Sequence, residues 1–299
     1  MKYTNNFFNK INPLVILFMA IVVLIIFLAI FADFLIPHNP LVQNISSRLI
    51  APGQEFIFGS DNFGRDVFSR VIHGSRSSLY IAISSVILGT IVGTIIGTFS
   101  AYRGGRIEIV SQRVMDSLLG FPSLVLAIVL VVTLGASSNT IIIAIAVALI
   151  PQVARLARSH TLSIKEENYV IAAKTIGAQS MNVIFKHILP HTSGPIVAYA
   201  AGYVSAAIVA ESALSFLGLG IPPPYPSWGG MLQEGRLYME TAPWITVFPG
   251  LFLSITAFSF ALLGDFLRDI VDPRDRLKNN SYFPWINKSS QKQTKNFKE

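Results

Sequence analysis

His187 and His191 stand four residues apart, a spacing that could set two imidazoles on one helix face as metal ligands. Pro190 lies between them, however, and no glutamate completes an H-E-x-x-H pattern, so they read as loop or interface residues. No G-x-S-x-G elbow is present to raise a serine nucleophile. No G-x-x-x-x-G-K-[ST] loop is present to cradle phosphates; the nearest lysine–hydroxyl pair, Lys174-Thr175, follows two alanines rather than glycines. There are no cysteines, so thiolate chemistry and disulfides are excluded. The chain is therefore expected to be no enzyme by itself, with no catalytic, cofactor or metal residues. If ATP drives it, another polypeptide hydrolyses the ATP.

The residue pattern with the most to say is Glu166–Pro190, a charged, helix-prone segment set between long apolar runs. On a helix over Glu166–Ile176, the residues Tyr169, Ala172, Ala173 and Ile176 share one face. Glu166 and Glu167 fall in its first turn and Lys174 in its last, matching the helix dipole. Gly177 is placed to end it in a left-handed conformation. A second helical stretch follows, with Met181, Ile184, Phe185 and Ile188 as its apolar face and Lys186 and His187 near its end. Small alanines admit close contact, so the segment reads as a docking element. Pattern alone leaves a second reading open, an amphipathic loop resting on lipid headgroups or on its own bundle.

The elements that hold this segment are membrane spans. Of 299 residues, 52% are hydrophobic and 13% charged, far below the roughly 25% charged of soluble domains. Charge is absent from Leu14–Ala32, Leu79–Ala101, Ser117–Ala154, Thr192–Ala210 and Thr241–Gly264. A crossing needs about 20 apolar residues. The longest block divides at the polar break Gly135-Ala-Ser-Ser-Asn139, so six transmembrane helices are expected. Leu14–Ala32 is longer than a signal-peptide core and lacks an A-x-A site, so it reads as an anchor. Ser212–Gln233 is also uncharged, but Pro222, Pro223, Pro224 and Pro226 make it a loop or re-entrant element packed on protein.

Lysine and arginine in short loops set orientation. With both termini inside, the cytoplasmic side receives Lys2, Lys10, Arg103, Arg106, Arg155, Arg158, Lys165, Lys174, Lys186 and the tail Arg274–Lys298. The outer side receives Arg48, Arg65, Arg70, Arg76 and Arg236, offset by Glu55, Asp61, Asp66, Glu234 and Glu240. The net charge of +7 then faces cytoplasm and anionic lipid rather than nucleic acid. The layout is an amino-terminal anchor (residues 1–36), an external segment (37–78), a five-helix core (79–270) with the cytoplasmic loop 161–190, and a basic tail (271–299). In the external segment, Val67, Val71 and Ile72 oppose Arg65, Asp66 and Arg70, as in an amphipathic elbow helix at the interface. Gly89, Gly93 and Gly97 form a small-residue stripe that marks a helix–helix contact, its partner undecided by spacing. The acids Asp33, Asp116, Glu211, Asp265 and Asp269 lie at span edges, which favours interfacial contacts over a proton relay. Glu211, at the head of the proline-rich loop, is the candidate gate residue.

The run Glu167-Asn-Tyr-Val-Ile-Ala-Ala-Lys-Thr-Ile-Gly-Ala, closed by His187-Ile-Leu-Pro190, resembles the EAA loop of ABC importer permeases. It departs from the general pattern at Ile171, where a glutamate precedes the alanines, and at Asn168. Phe58-Gly-Ser-Asp-Asn-Phe-Gly-Arg-Asp-Val-Phe-Ser-Arg70, Tyr102-Arg-Gly-Gly105, Asp116 with Phe121-Pro122, Glu211-Ser-Ala-Leu-Ser-Phe-Leu-Gly-Leu-Gly-Ile-Pro222, Ser227-Trp-Gly229 and Gly264-Asp-Phe-Leu-Arg-Asp-Ile-Val-Asp-Pro-Arg274 follow in order. Together they resemble the C-type permease subunit of dipeptide, oligopeptide and nickel importers. That resemblance implies an all-α type I importer fold with both termini inside, in a bacterial inner membrane. It implies a homologous second permease, two ATPase subunits gripping the loop at Glu166, Glu167, Tyr169, Ala172, Ala173, Lys174 and Gly177, and an external solute-binding protein. Cargo stays open among peptides, nickel chelates and glutathione-like molecules. An ion-coupled secondary transporter is the rival class; it needs central acids and paired broken helices, neither evident here.

Overall fold

The computed structural model describes residues 13–271, so Lys2, Lys10 and the tail Arg274–Lys298 lie outside the described residues. Its helices are α1 (Pro13–Ile30), α2 (Ala32–Leu35), α3 (Val67–Arg103), α4 (Gly105–Leu119), α5 (Ser123–Leu134), α6 (Ser138–Ile164), α7 (Asn168–Thr175), α8 (Ser180–Val183), α9 (Leu189–Phe216), α10 (Trp228–Gly235) and α11 (Trp244–Val271). Five helical runs are long and apolar enough to cross a membrane: α1, α3, α6, Ser180–Phe216 and α11. The pair α4–α5 makes a sixth when counted as one broken span. Among the described residues every regular element is helical, apart from one isolated bridge between Ser60 and Asp66.

The expected elbow helix is not a separate element. Val67, Val71 and Ile72 are instead the opening turns of α3, which starts at Asp66, whose carboxylate accepts the Ser69 N–H at 2.9 Å. No breaking residue separates these turns from the apolar block, so the helix runs on for 37 residues. At 1.5 Å per residue that is about 55 Å, against about 30 Å of hydrocarbon. Its first turns therefore stand clear of the bilayer. They are not amphipathic at an interface either, because Arg65 and Arg70 are as buried as Val67 and Val71.

The third crossing also departs from a straight span. α4 ends at Gly120, Phe121 and Pro122 intervene, and α5 leaves at 90°. Phe121 precedes a proline and so is driven out of helical geometry. α5 has 12 residues, about 18 Å of helix, which cannot cross the hydrocarbon alone.

The glycine stripe finds its partner inside the chain. α3 and α6 run parallel in contact, and a Cβ at Gly93 would stand 2.8 Å from the Ile150 carbonyl oxygen and from Val153 Cβ. Gly89 meets Ala146 and Leu149, and Gly97 meets Ala154 and Ala157 at closer range still. A second close crossing, not evident from spacing, pairs Gly202 of α9 with Gly264 of α11. Gly93→Ala is expected to force α3 and α6 apart and destabilise the protein by about 1–3 kcal/mol, the usual range for overpacking. Gly250→Ala, whose added Cβ would meet Leu232 Cδ2 at an ordinary 3.5 Å, is the comparison. Equal melting temperatures of the two variants in detergent would contradict the close approach.

Candidate functional site

α7 forms where the sequence places it, starting two residues later, at Asn168. Glu167 occupies the N-cap position and Glu166 the preceding turn, both exposed. The stop is as expected: Gly177 has φ +86°, its N–H donates to Lys174 O at 3.0 Å, and the Ala178 N–H reaches Ala173 O at 3.0 Å. This doubly bonded ending satisfies carbonyls that a bare helix end would leave open.

The face of α7 that packs inward is carried by Val170. It is fully buried in a cluster with Val183, Ile184 and Ile188, against Phe99 and Tyr102 of α3 and Ile164 of α6. The face formed by Tyr169, Ala172, Ala173 and Ile176 points away from the bundle. Tyr169 is 41% exposed and Ile176 86%, Ala172 is exposed and Ala173 half-buried. Lys174 Nζ lies 4.9 Å over the Tyr102 ring, and Lys165 Nζ donates to Ala101 O at 3.2 Å. A two-turn helix with an uncovered small-and-apolar face thus sits on a rigid base that touches three spans.

The second stretch differs from its expected face. Ile184 and Ile188 are buried, but Met181 and Phe185 are 54% and 57% exposed. A π turn over Ile184–Ile188 adds a residue to the local repeat and breaks the 3.6 period on which that face was drawn. It also lets the helix pass Pro190, which lacks the N–H for an ordinary bond. His187 and His191 therefore share one helical run after all, with His191 Nδ1 2.7 Å from the His187 carbonyl oxygen and both rings beside Tyr169.

On the opposite side, a group of charges gathers that sequence reasoning had treated as mutually offsetting. Arg65 Nε donates to Asp61 Oδ2 and Arg65 Nη2 to Glu234 Oε2, each at 2.6 Å. Arg70 Nη2 donates to Glu234 Oε2 at 3.2 Å, its Nη1 to Pro40 O at 3.2 Å, and its Nε lies 3.4 Å from Asp61 Oδ2. Both arginine side chains are 2% exposed and Glu234 21%. This network fastens the external segment, the start of α3 and α10 into one layer. Its local part pairs Asp61 with Arg65 across the turn at Gly64, outside any helix.

Glu211 lies within α9, fully buried. Ser215 Oγ donates to it at 2.8 Å and Ser212 Oγ at 3.2 Å, and Ser78 and Ser227 stand close by. Beside it the indole N–H of Trp228 donates to Val71 O at 3.1 Å. The region Ser212–Gln233 is thus the end of α9, a loop and α10, folded back onto the bundle with Trp228 and Met231 buried. Two other edge acids make interfacial pairs, Asp33 with Arg76 at 2.9 Å and Asp116 with Arg155 at 2.8 Å.

Comparison with known proteins accounts for nearly the whole chain. Residues 89–276 match the family described as binding-protein-dependent transport system inner membrane component. Residues 10–52 match the N-terminal transmembrane domain of oligopeptide transport permease C. The dipeptide transport system permease protein DppC of Alkalihalophilus pseudofirmus is 40% identical over 265 residues, covering 89% of this chain and 87% of that protein. DppC of Bacillus subtilis is 37% identical, covering 92% and 87%, and the glutathione transport system permease protein GsiD of Escherichia coli is 40% identical, covering 85% and 84%. The fold is shared with the methionine ABC transporter MetNI, solved in inward-facing conformations, at a TM-score of 0.54 and 17% identity over 68% of this chain and 96% of that one. The chain belongs to the inner-membrane components of binding-protein-dependent transport systems, as a multi-pass, C-type permease subunit of an ABC importer.

Proposed function

We propose that this permease forms, with a second homologous permease, the passage for dipeptides or short oligopeptides, and that two separate ATPase subunits drive it through α7. The observation that carries the coupling role is the outward face Tyr169, Ala172, Ala173 and Ile176 on a base anchored by Val170. Glu166, Glu167 and Lys174 flank that face with charge, and Gly177 fixes where it ends. Both termini lie inside, which sets the loop in the cytoplasm; the lysine and arginine distribution supports this. A push on α7 passes through Phe99, Tyr102, Ile164 and Ile188 to α3, α6 and α9 together. ATP favours one arrangement of these spans only to the extent that the ATPases bind that arrangement better.

The second permease is supported by the break at Gly120–Pro122. α5 is too short to cross, so the break falls at membrane depth, where non-helical backbone needs protein or water over it. Gly120, Phe121 and Pro122 are exposed in the single chain, leaving them for a partner subunit and the passage between the two. A solute-binding protein delivers cargo from outside. Glu211, caged by serines of α3, α9 and the loop before α10, serves as the outer seal that parts when those elements separate.

The chain has no native cysteine, so a single Ile176→Cys is a clean probe. A short thiol-to-amine cross-linker in native membranes is expected to join it to the ATPase subunit, and a cysteine at Val129, exposed on α5, is not. Failure at position 176 with intact transport would remove the coupling assignment.

A further inference from the structure

A groove of about 360 Å³ runs between α1 and α3, lined by Ile26, Ala29 and Ile30 on one side and Leu79, Tyr80 and Ile83 on the other, with Arg76 at one end. The helices are antiparallel, so the charged residue after α1 and the charged residue before the apolar block of α3 arrive at the same level. There Arg76 Nη1 donates to Asp33 Oδ2 at 2.9 Å, and His73 Nε2 lies 3.7 Å from Asp33 Oδ1. Arg76 and Asp33 are 54% and 61% exposed, and Tyr80 beside them is 58% exposed. From Arg76 inward to Ser84 at the far end of the lining, the groove extends about 12 Å along α3, close to the depth of one leaflet. α1 is 17% buried, the lowest share among the five single-helix spans, and most of its surface is therefore left for lipid.

We propose that the groove holds one phospholipid whose headgroup joins a phosphate to a primary ammonium, of the phosphatidylethanolamine type. An acyl chain gains little by leaving bilayer for an apolar groove, because both surroundings are equally apolar. Selection therefore rests on the polar end. Arg76 has five N–H donors in a planar fork and gives one nitrogen to Asp33, which leaves donors for a phosphate. Asp33 is acceptor-only when ionised and matches the three N–H donors of a primary ammonium. A quaternary ammonium offers it no donor, and a glycerol headgroup offers it no positive charge. Tyr80 sits where interfacial aromatics anchor beside headgroups. The orientation given above enters only in assigning the groove to the outer leaflet; the binding chemistry does not depend on it or on the cargo.

The test is native mass spectrometry of the complete transporter after exchange into nanodiscs with equal parts phosphatidylethanolamine, phosphatidylglycerol and phosphatidylcholine. Wild type is expected to retain one phosphatidylethanolamine per copy of this chain. Asp33→Asn is expected to reduce the preference over phosphatidylcholine roughly tenfold, the loss of one charge-assisted bond. Ala29→Phe, which fills the groove with the Asp33–Arg76 pair intact, is expected to lose the lipid. A photo-cross-linker at Tyr80 in otherwise unaltered protein needs no destabilising change and should capture the same lipid. Equal retention of the three lipids means ordinary annular lipid and overturns the proposal. Capture of a partner polypeptide at Tyr80 overturns it too, since the groove would then be a subunit contact.

Discussion

Glu234→Ala is expected to destabilise the folded transporter by about 3 kcal/mol, the lower end of the range for breaking a buried ion pair. Glu234 Oε2 receives a 2.6 Å bond from Arg65 and a 3.2 Å bond from Arg70. Without it two guanidinium groups, each 2% exposed, are left to share Asp61. The carboxylate itself is 21% exposed, so water can reach the vacated position, and this argues for the low end of the range. Glu234→Gln keeps an acceptor for one arginine while removing the charge, and should fall between alanine and wild type. Asp116→Asn provides the reference, because the Asp116–Arg155 pair is 49% and 58% exposed and should contribute at most about 1 kcal/mol. The readout is thermal unfolding of the purified complex in detergent, together with protease sensitivity of the segment around Asp61. If Glu234→Ala melts with Asp116→Asn, the cluster is not holding the external layer.

That cluster also marks the limit of what the sequence made legible. The spans were readable because lipid tolerates no scattered charge, and the blocks free of charge therefore stand out. α7 was readable because its boundaries are local: acids at the start, Lys174 near the end, Gly177 as the stop. By contrast Arg65 and Glu234 are 169 residues apart, and no periodicity relates them. Counting them as outer charges gave the correct sum and missed that they cancel one another in contact. Met181 and Phe185 were misassigned for a different reason, since the π turn shifts register without any composition signal beyond Pro190. Phe121-Pro122 did carry a signal for the break before α5, a residue forced out of helix by the proline after it, but the surrounding hydrophobicity masked it.

Gly177→Asp is expected to abolish uptake while leaving the permease in the membrane. At φ +86° an L-residue is strained by about 1–2 kcal/mol, and aspartate tolerates that region better than most side chains. Nothing lies within 4 Å of the added Cβ, so the side chain has room and the turn itself can form. The damage is therefore electrostatic and local to the exposed face. A carboxylate at the carboxy-terminal end of α7 opposes the helix dipole, which Lys174 only partly offsets while it lies over Tyr102. It also places a negative charge beside Ile176, the most exposed apolar residue of the proposed docking face. Gly177→Asn carries the same shape and backbone strain without the charge, and should retain most activity. Reconstituted with the ATPases and binding protein, the aspartate variant should lose at least about tenfold in dipeptide uptake, equivalent to about 1.4 kcal/mol of coupling. Basal ATP hydrolysis should persist but stop responding to loaded binding protein. Wild-type uptake in Gly177→Asp would show that force reaches the spans by some route other than α7. Equal loss in the asparagine and aspartate variants would instead assign the effect to the turn alone.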